Sequence, residues 1–170
     1  REGRPTLKIT AVETVVYPNP GRPFVWVLVR TDEGITGLGE ATLMARDRSV
    51  AATVGHLAEV IVGMDPLRHE HIWNRLFMGD RRRGGAVLGS AMGAIDVALW
   101  DIHGQALGVP IHALLGGRVR DRVLFYNHAR PQSPEAVADA FGPLIADGWT
   151  AAKFMPVPAE PDSEGRPRMD

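Results

Sequence analysis

The stretch from Arg83 to Gly117 constrains this chain most. It opens with Arg83-Gly84-Gly85, runs on to Ile95-Asp96-Val97-Ala98-Leu99-Trp100-Asp101-Ile102, and closes with Gly108-Val109-Pro110 and Leu114-Leu115-Gly116-Gly117. Leu88, Ala91, Met92, Ile95, Leu99 and Ile102 recur at helical spacing, which predicts a helix from about Ala86 to Leu107 with that face buried. Gly85, Gly89 and Gly93 recur every four residues. A glycine inside a helix costs about 1 kcal/mol relative to alanine, so Gly89 and Gly93 predict close approach of another backbone. The stretch also joins two differently patterned parts of the chain.

The part before it reads as a small α+β module. Leu7 to Val16 alternates, with Leu7, Ile9, Ala11 and Val15 set against Lys8, Thr10 and Glu13, as in a half-buried strand. After the Pro18-Asn19-Pro20-Gly21 break, Phe24 to Arg30 is a second strand. Thr31-Asp32-Glu33-Gly34 is a hairpin connection in which Gly34 takes the positive φ. Ile35 to Glu40 is the third strand, and its Gly37 and Gly39 predict a bulge or close backbone approach. Two helices follow. One covers 49–62, with Val50, Val54, Leu57, Ala58 and Ile61 on one face, Ser49 or Asp47 as its cap, and Gly63 and Asp65-Pro66 ending it. The other runs near Leu67 to Phe77.

The part after Gly117 reads as a βαβ unit with parallel strands: Val123–Tyr126, a helix started by Ser133-Pro134-Glu135 and ended at Gly148, then Trp149–Phe154. Pro143 is expected to kink or shorten that helix. Pro158 to Asp170 reads as a long polar loop.

Composition removes several classes. A net charge of −1 gives no electrostatic footprint for nucleic acid or an acidic membrane. No apolar run approaches the ~20 residues that span a bilayer. The absence of cysteine removes disulfides and thiolate metal sites, and fits a cytoplasmic protein.

Three groups of residues, in order, resemble the enolase superfamily, specifically its mandelate racemase / muconate-lactonising branch. Trp26 to Ala41 looks like that family's strand–turn–strand with a closing Gly37-Leu38-Gly39-Glu40. Ser90 to Asp101 looks like its Ala-x-x-x-Ile-Asp-x-Ala-Leu-Trp-Asp helix. Leu107-Gly108-Val109-Pro110 and Leu114-Leu115-Gly116-Gly117 look like its link into a barrel. The similarity covers roughly residues 7–157. The finer likeness, in Arg83-Gly84-Gly85-Ala86-Val87-Leu88, is to the galactonate-type acid-sugar dehydratases.

The resemblance implies an α+β capping domain at residues 1–117, a three-stranded antiparallel sheet plus helices. It is followed at 118–170 by the start of a (β/α) TIM-type barrel, truncated after the second barrel strand. It implies a Mg2+-dependent enzyme that removes the proton α to a carboxylate and most resembles a sugar-acid dehydratase. Racemase or epimerase, cycloisomerase, and a non-catalytic cap or oligomerisation module remain alternatives. The implied metal ligands belong to the third to fifth barrel strands, beyond Asp170, so no metal ligand is expected in this chain and the chain alone is expected to be inactive. The implied partners are a small sugar acid and further copies in a homo-oligomer.

The same resemblance singles out five residues. Lys153, at the end of the second barrel strand, is a candidate for electrostatic stabilisation of a carboxylate. In Lys153-Phe154-Met155, methionine replaces the second lysine of the family's Lys-x-Lys, which removes a lysine-base mechanism. Tyr126 and His128, at the end of the first barrel strand, are candidate substrate contacts. Arg22 and Arg46 lie in cap loops Tyr17–Pro23 and Thr42–Asp47, which in the family reach over the barrel mouth, and are candidate partners for a substrate carboxylate or hydroxyls.

Other signals read as structural. His69-Glu70-His71 is not a metal motif, since i and i+2 diverge on a helix, and both histidines are expected at the surface. Arg81-Arg82-Arg83 reads as a solvated loop. Asp96 and Asp101 read as capping or buried-polar partners, and Trp73 and Trp100 as core or interface aromatics.

Overall fold

The computed structural model describes residues 7–19, 22–131 and 133–154. Met155 and the tail from Pro158 lie outside the described residues. The chain divides into two compact units between Arg118 and Val119.

In the first unit, β1 (Ile9–Tyr17), β2 (Phe24–Thr31) and β3 (Thr36–Glu40) form an antiparallel sheet in the order β1-β2-β3. Helices α1 (Asp47–Ile61), α2 (His69–Gly79) and α3 (Ala86–Leu107) follow, with the short α4 (Ile111–Leu114) after them. Gly34 turns the β2–β3 hairpin at φ 80° and Gly63 ends α1 at φ 87°. Gly108 closes α3 at φ 69°, its N–H reaching the carbonyls of Gly104 and Gln105.

The core lies between one sheet face and the helices. Val25, Val27 and Val29 of β2 meet Val50, Val54, Leu57 and Ile61 of α1, Ile72 and Leu76 of α2, and Met92, Ile95, Leu99 and Ile102 of α3. Leu88, expected to be buried with them, is only half-buried. A register shift between Ile9 and Ala11 corrects the simple alternation expected of β1. The extra residue puts both Ile9 and Val12 on the core side and turns Val15 to the outer face, 46% exposed.

The two strand glycines, not those of α3, mark the close approach of backbones. A Cβ on Gly37 would run into the carbonyl of Ala98, and one on Gly39 into that of Ala94. Gly89 and Gly93 face open space among the described residues. Their four-residue spacing is shared by Ala94 and Ala98, and it is this alanine pair that the sheet covers. The free edge of β3 is also held by α3. Asp101 Oδ2 accepts from Leu38 N–H at 2.9 Å and Gln105 Nε2 donates to Thr36 O at 2.9 Å. Asp101, expected as a capping or buried-polar partner, instead binds an exposed strand edge, which it blunts against pairing with another strand.

In the second unit, β4 (Asn127–His128) and β5 (Ala152–Lys153) pair in parallel around α5 (Val137–Ala146). The ladder is shorter than expected on both sides. Val123–Tyr126 carries no ladder, because its β-branched and aromatic side chains find no neighbouring strand; Leu124 is 76% exposed. Pairing begins at Asn127, the residue immediately after the expected strand. Of Trp149–Phe154, only Ala152 and Lys153 are paired. The α5 start is also later than expected. Ser133 caps a preceding turn, its Oγ accepting from Ala136 N–H at 3.3 Å, and the helix proper begins at Val137. It runs through Pro143 and ends before Gly148 at φ 83°.

Candidate functional site

The two arginines sit on loops that leave the sheet at the same end. Tyr17 pairs with Phe24 where β1 turns into β2, and Glu40 pairs with Trp26 where β3 ends beside the start of β2. Antiparallel pairing therefore brings the β1–β2 connection and the β3–α1 connection together at one rim. The second loop is clipped to β2. Ala41 N–H donates to Val25 O at 2.8 Å, and Thr42 Oγ1 accepts from Val25 N–H at 3.1 Å. The loop then turns through Ala45, whose φ of 58° is a left-handed conformation rarely taken by alanine. Arg46 follows at the start of α1, exposed, with its Nη1 on the carbonyl of Ala45 at 3.0 Å. Arg22 is exposed too, its N–H closing a turn onto Asn19 O at 3.0 Å.

The other three residues gather in the second unit. His128 and Lys153 are partners in the β4–β5 register and share one face of the strand pair. Asn127 N–H donates to Ala151 O at 3.2 Å, and Ala129 N–H to Lys153 O at 3.0 Å. The rings of Tyr126 and His128 stack at 5.7 Å with 7° between planes. Phe141 of α5 meets Phe154 edge-on at 5.5 Å, fixing the helix beside the end of β5. Tyr126, His128 and Lys153 are exposed. His128 and Lys153 lie at the carboxyl ends of β4 and β5, where βαβ folds present ligand-binding groups, whereas Tyr126, expected at a strand end, immediately precedes β4.

Two open grooves lie elsewhere. They measure about 560 and 460 Å³, flank His56, Leu57 and Asp80, and include none of the five candidates. Among the described residues no three His, Asp or Glu side chains converge as metal ligands. No helix among them is long and apolar enough to cross a membrane.

A polar cluster between α2 and α3 is the main feature that sequence reasoning missed. His69 is buried, contrary to the surface position expected of it, whereas His71 is exposed. The start of α2 packs onto α3, setting the His69 ring 4.4 Å from that of Trp100 and 5.1 Å from that of His103. His103 Nδ1 lies 3.1 Å from His69 Nε2. Burial, then the neighbouring His103, pull the His69 pKa below its ordinary value. Burial raises that of Asp96, against the opposing influence of His69 and of a hydrogen bond from Trp100. Asp96, Trp100 and His103 follow i, i+4, i+7 spacing, so three of the four cluster residues lie on one stripe of α3.

The three-stranded antiparallel sheet packed against α1, α2 and α3 defines the first unit as an α+β domain. Residues 5–116 match the family model described as the mandelate racemase / muconate lactonizing enzyme N-terminal domain, and the chain belongs to that family. It is 40% identical over 161 residues to a D-mannonate dehydratase of Novosphingobium aromaticivorans, covering 94% of this chain and 40% of that protein. It is 45% identical over 148 residues to a D-galactonate dehydratase of Xanthomonas axonopodis pv. citri, covering 87% and 38%. Among solved structures, an enolase from Pantoea ananatis with bound D-gluconate and Mg superposes with a TM-score of 0.82 at 34% identity, covering 88% of this chain and 36% of that one. An enolase-superfamily member from Salmonella Typhimurium gives a TM-score of 0.84 at 30% identity, covering 96% and 46%. The chain thus spans about two fifths of the length of the curated relatives, 40% in the first case.

Proposed function

We propose that this chain is the cap and first barrel strands of a Mg2+-dependent acid-sugar dehydratase that begins catalysis by removing the proton α to a carboxylate. The observation that carries this is the 40–45% identity to D-mannonate and D-galactonate dehydratases, which runs through the cap and beyond it. Such a proton is weakly acidic, and a divalent cation, when bound, would supply the positive charge that its removal requires. The residues of this chain have a different part in the proposal. Arg22 and Arg46, on two loops at one rim of the sheet, bind the acid and exclude water. Lys153, beside His128 and the stacked Tyr126, places a positive charge near the substrate carboxylate at the strand ends. The division at residues 117/118 into cap and barrel start belongs to the same reading, as do assembly into a homo-oligomer and a cytoplasmic location.

The test is turnover by the intact protein, barrel included. With Mg2+, it should exchange the α-proton of D-mannonate or D-galactonate in deuterated buffer and release the dehydrated keto acid; chelation of the metal should abolish both. The 170-residue chain alone should give neither. Failure of the intact protein to exchange the α-proton of any sugar acid would sink the proposal.

Loop binding has its own signature. Arg46→Ala in the intact enzyme should raise KM about tenfold while leaving kcat within a factor of about three, as expected when one charge-assisted contact made equally in ground and transition states is lost. A kcat loss with unchanged KM would remove Arg46 from the binding loop.

A further inference from the structure

We propose that the His69–His103 pair is a proton-operated latch, holding α2 on α3 near neutral pH and releasing it in mild acid. The geometry sets the proton count. At 3.1 Å, His69 Nε2 and His103 Nδ1 share one hydrogen bond, so one nitrogen carries the proton and the other offers its lone pair. The remaining nitrogen of His69, Nδ1, is buried with no hydrogen-bond partner among the described residues. A bare lone pair is tolerated there better than an N–H with no acceptor. His69 is therefore the Nε2–H tautomer and donates to His103 Nδ1.

An added proton has no good place in the closed pair. On His103 Nδ1 it removes the accepting lone pair and sets two N–H groups against each other. On His69 Nδ1 it creates a buried, unpaired donor on a cation. Nor do the surrounding carboxylates compensate. Asp96 of α3, Glu70 of α2 and Asp65 just before α2 all favour a charged His69, but burial and His103 outweigh them. No α1 charge figures among the groups acting on His69. In the opened state the ring is solvated and takes the proton at its ordinary pKa of 6.5.

The sign follows from this lowering of the folded value. The latch contributes full stability above the open-state value of 6.5 and loses it as pH falls toward the folded-state pKa. α2 also forms one wall of the groove around His56 and Asp80, through Arg75, Leu76 and Gly79. Release of the helix would therefore open that groove.

Hydrogen exchange of the full 170-residue chain tests this, with rates corrected for the intrinsic effect of pH. A histidine that takes its proton more readily when open, at 6.5, makes opening up to about tenfold more frequent at pH 5.5 than at pH 8. That increase is expected in the amides of α2 and not in the β1–β2 ladder. His69→Gln and His103→Gln, which cannot titrate, should each flatten the dependence. A flat wild-type profile, or a slope retained in both variants, would overturn the latch. Should either variant fail to fold, imidazole 15N spectra of the wild type decide. The Nε2–H tautomer for His69 and protonation suppressed relative to the urea-unfolded chain support the latch; an Nδ1–H tautomer, or protonation as in the unfolded chain, refutes it.

Discussion

Gly39→Ala is expected to cost about 3 kcal/mol or more and to leave the cap largely unfolded, although alanine is ordinarily the better residue in a strand. Two effects oppose each other. Replacing glycine reduces the entropy of the unfolded chain and is worth up to about 1 kcal/mol. Against it, the new Cβ would occupy the position of the Ala94 carbonyl, which is helix backbone and cannot rotate aside. Separating α3 from β3 would also strain the Asp101–Leu38 and Gln105–Thr36 hydrogen bonds. The clash should win. Urea denaturation followed by far-UV circular dichroism provides the measurement, with Gly55→Ala as the control. Gly55 is exposed on α1 with open space around its missing Cβ, so that change should stabilise by about 1 kcal/mol. Equal effects at Gly39 and Gly55 would refute the backbone-contact explanation.

Ile102→Ala should destabilise the same unit by about 2–5 kcal/mol, with a fall in Tm of roughly 10–20 °C. Its side chain is 0% exposed. It also covers Gly37, whose added Cβ would meet Ile102 Cγ1 as well as the Ala98 carbonyl. Truncation removes buried methyl groups at a point where the helix backbone already rests on the strand and has little room to settle inward. The double change Gly37→Ala/Ile102→Ala discriminates further. It removes the side-chain obstacle but leaves the carbonyl, so alanine at 37 should remain strongly destabilising. Recovery to the level of Ile102→Ala alone would show that the side chain, not the backbone, sets the limit.

The elements of the cap were legible because its signals are local. The apolar run of β2, helical spacing in α1 and α3, and glycines at Gly34, Gly63 and Gly108 each specify backbone geometry within a few residues. Failures came where a partner decides the outcome. Val15 faces outward because a bulge shifts the β1 register, which no short window of alternation reveals. Val123–Tyr126 has strand-like residues but no ladder, since a strand is defined by what lies beside it. Gly89 and Gly93 had the right spacing for close packing, yet the contact falls on Ala94 and Ala98.

The candidate site divides along the same line. Arg22 and Arg46 were identified by the loops that carry them. Their common rim follows from antiparallel register, and the clip of Thr42 onto Val25 required the folded sheet. His128 and Lys153 were singled out at separate strand ends, and parallel pairing made them neighbours. His69 shows the limit most clearly: its own helix gives no sign that it meets His103, because that contact forms only when α2 packs onto α3.

The sequence by itself determined the family, the order of elements and the residues able to form a cap, since these follow from side-chain periodicity and backbone preference along the chain. Only the tertiary structure decided which glycines admit a helix, which histidine is buried and which edge Asp101 closes. Each of those depends on excluded volume and hydrogen bonding between segments far apart in sequence.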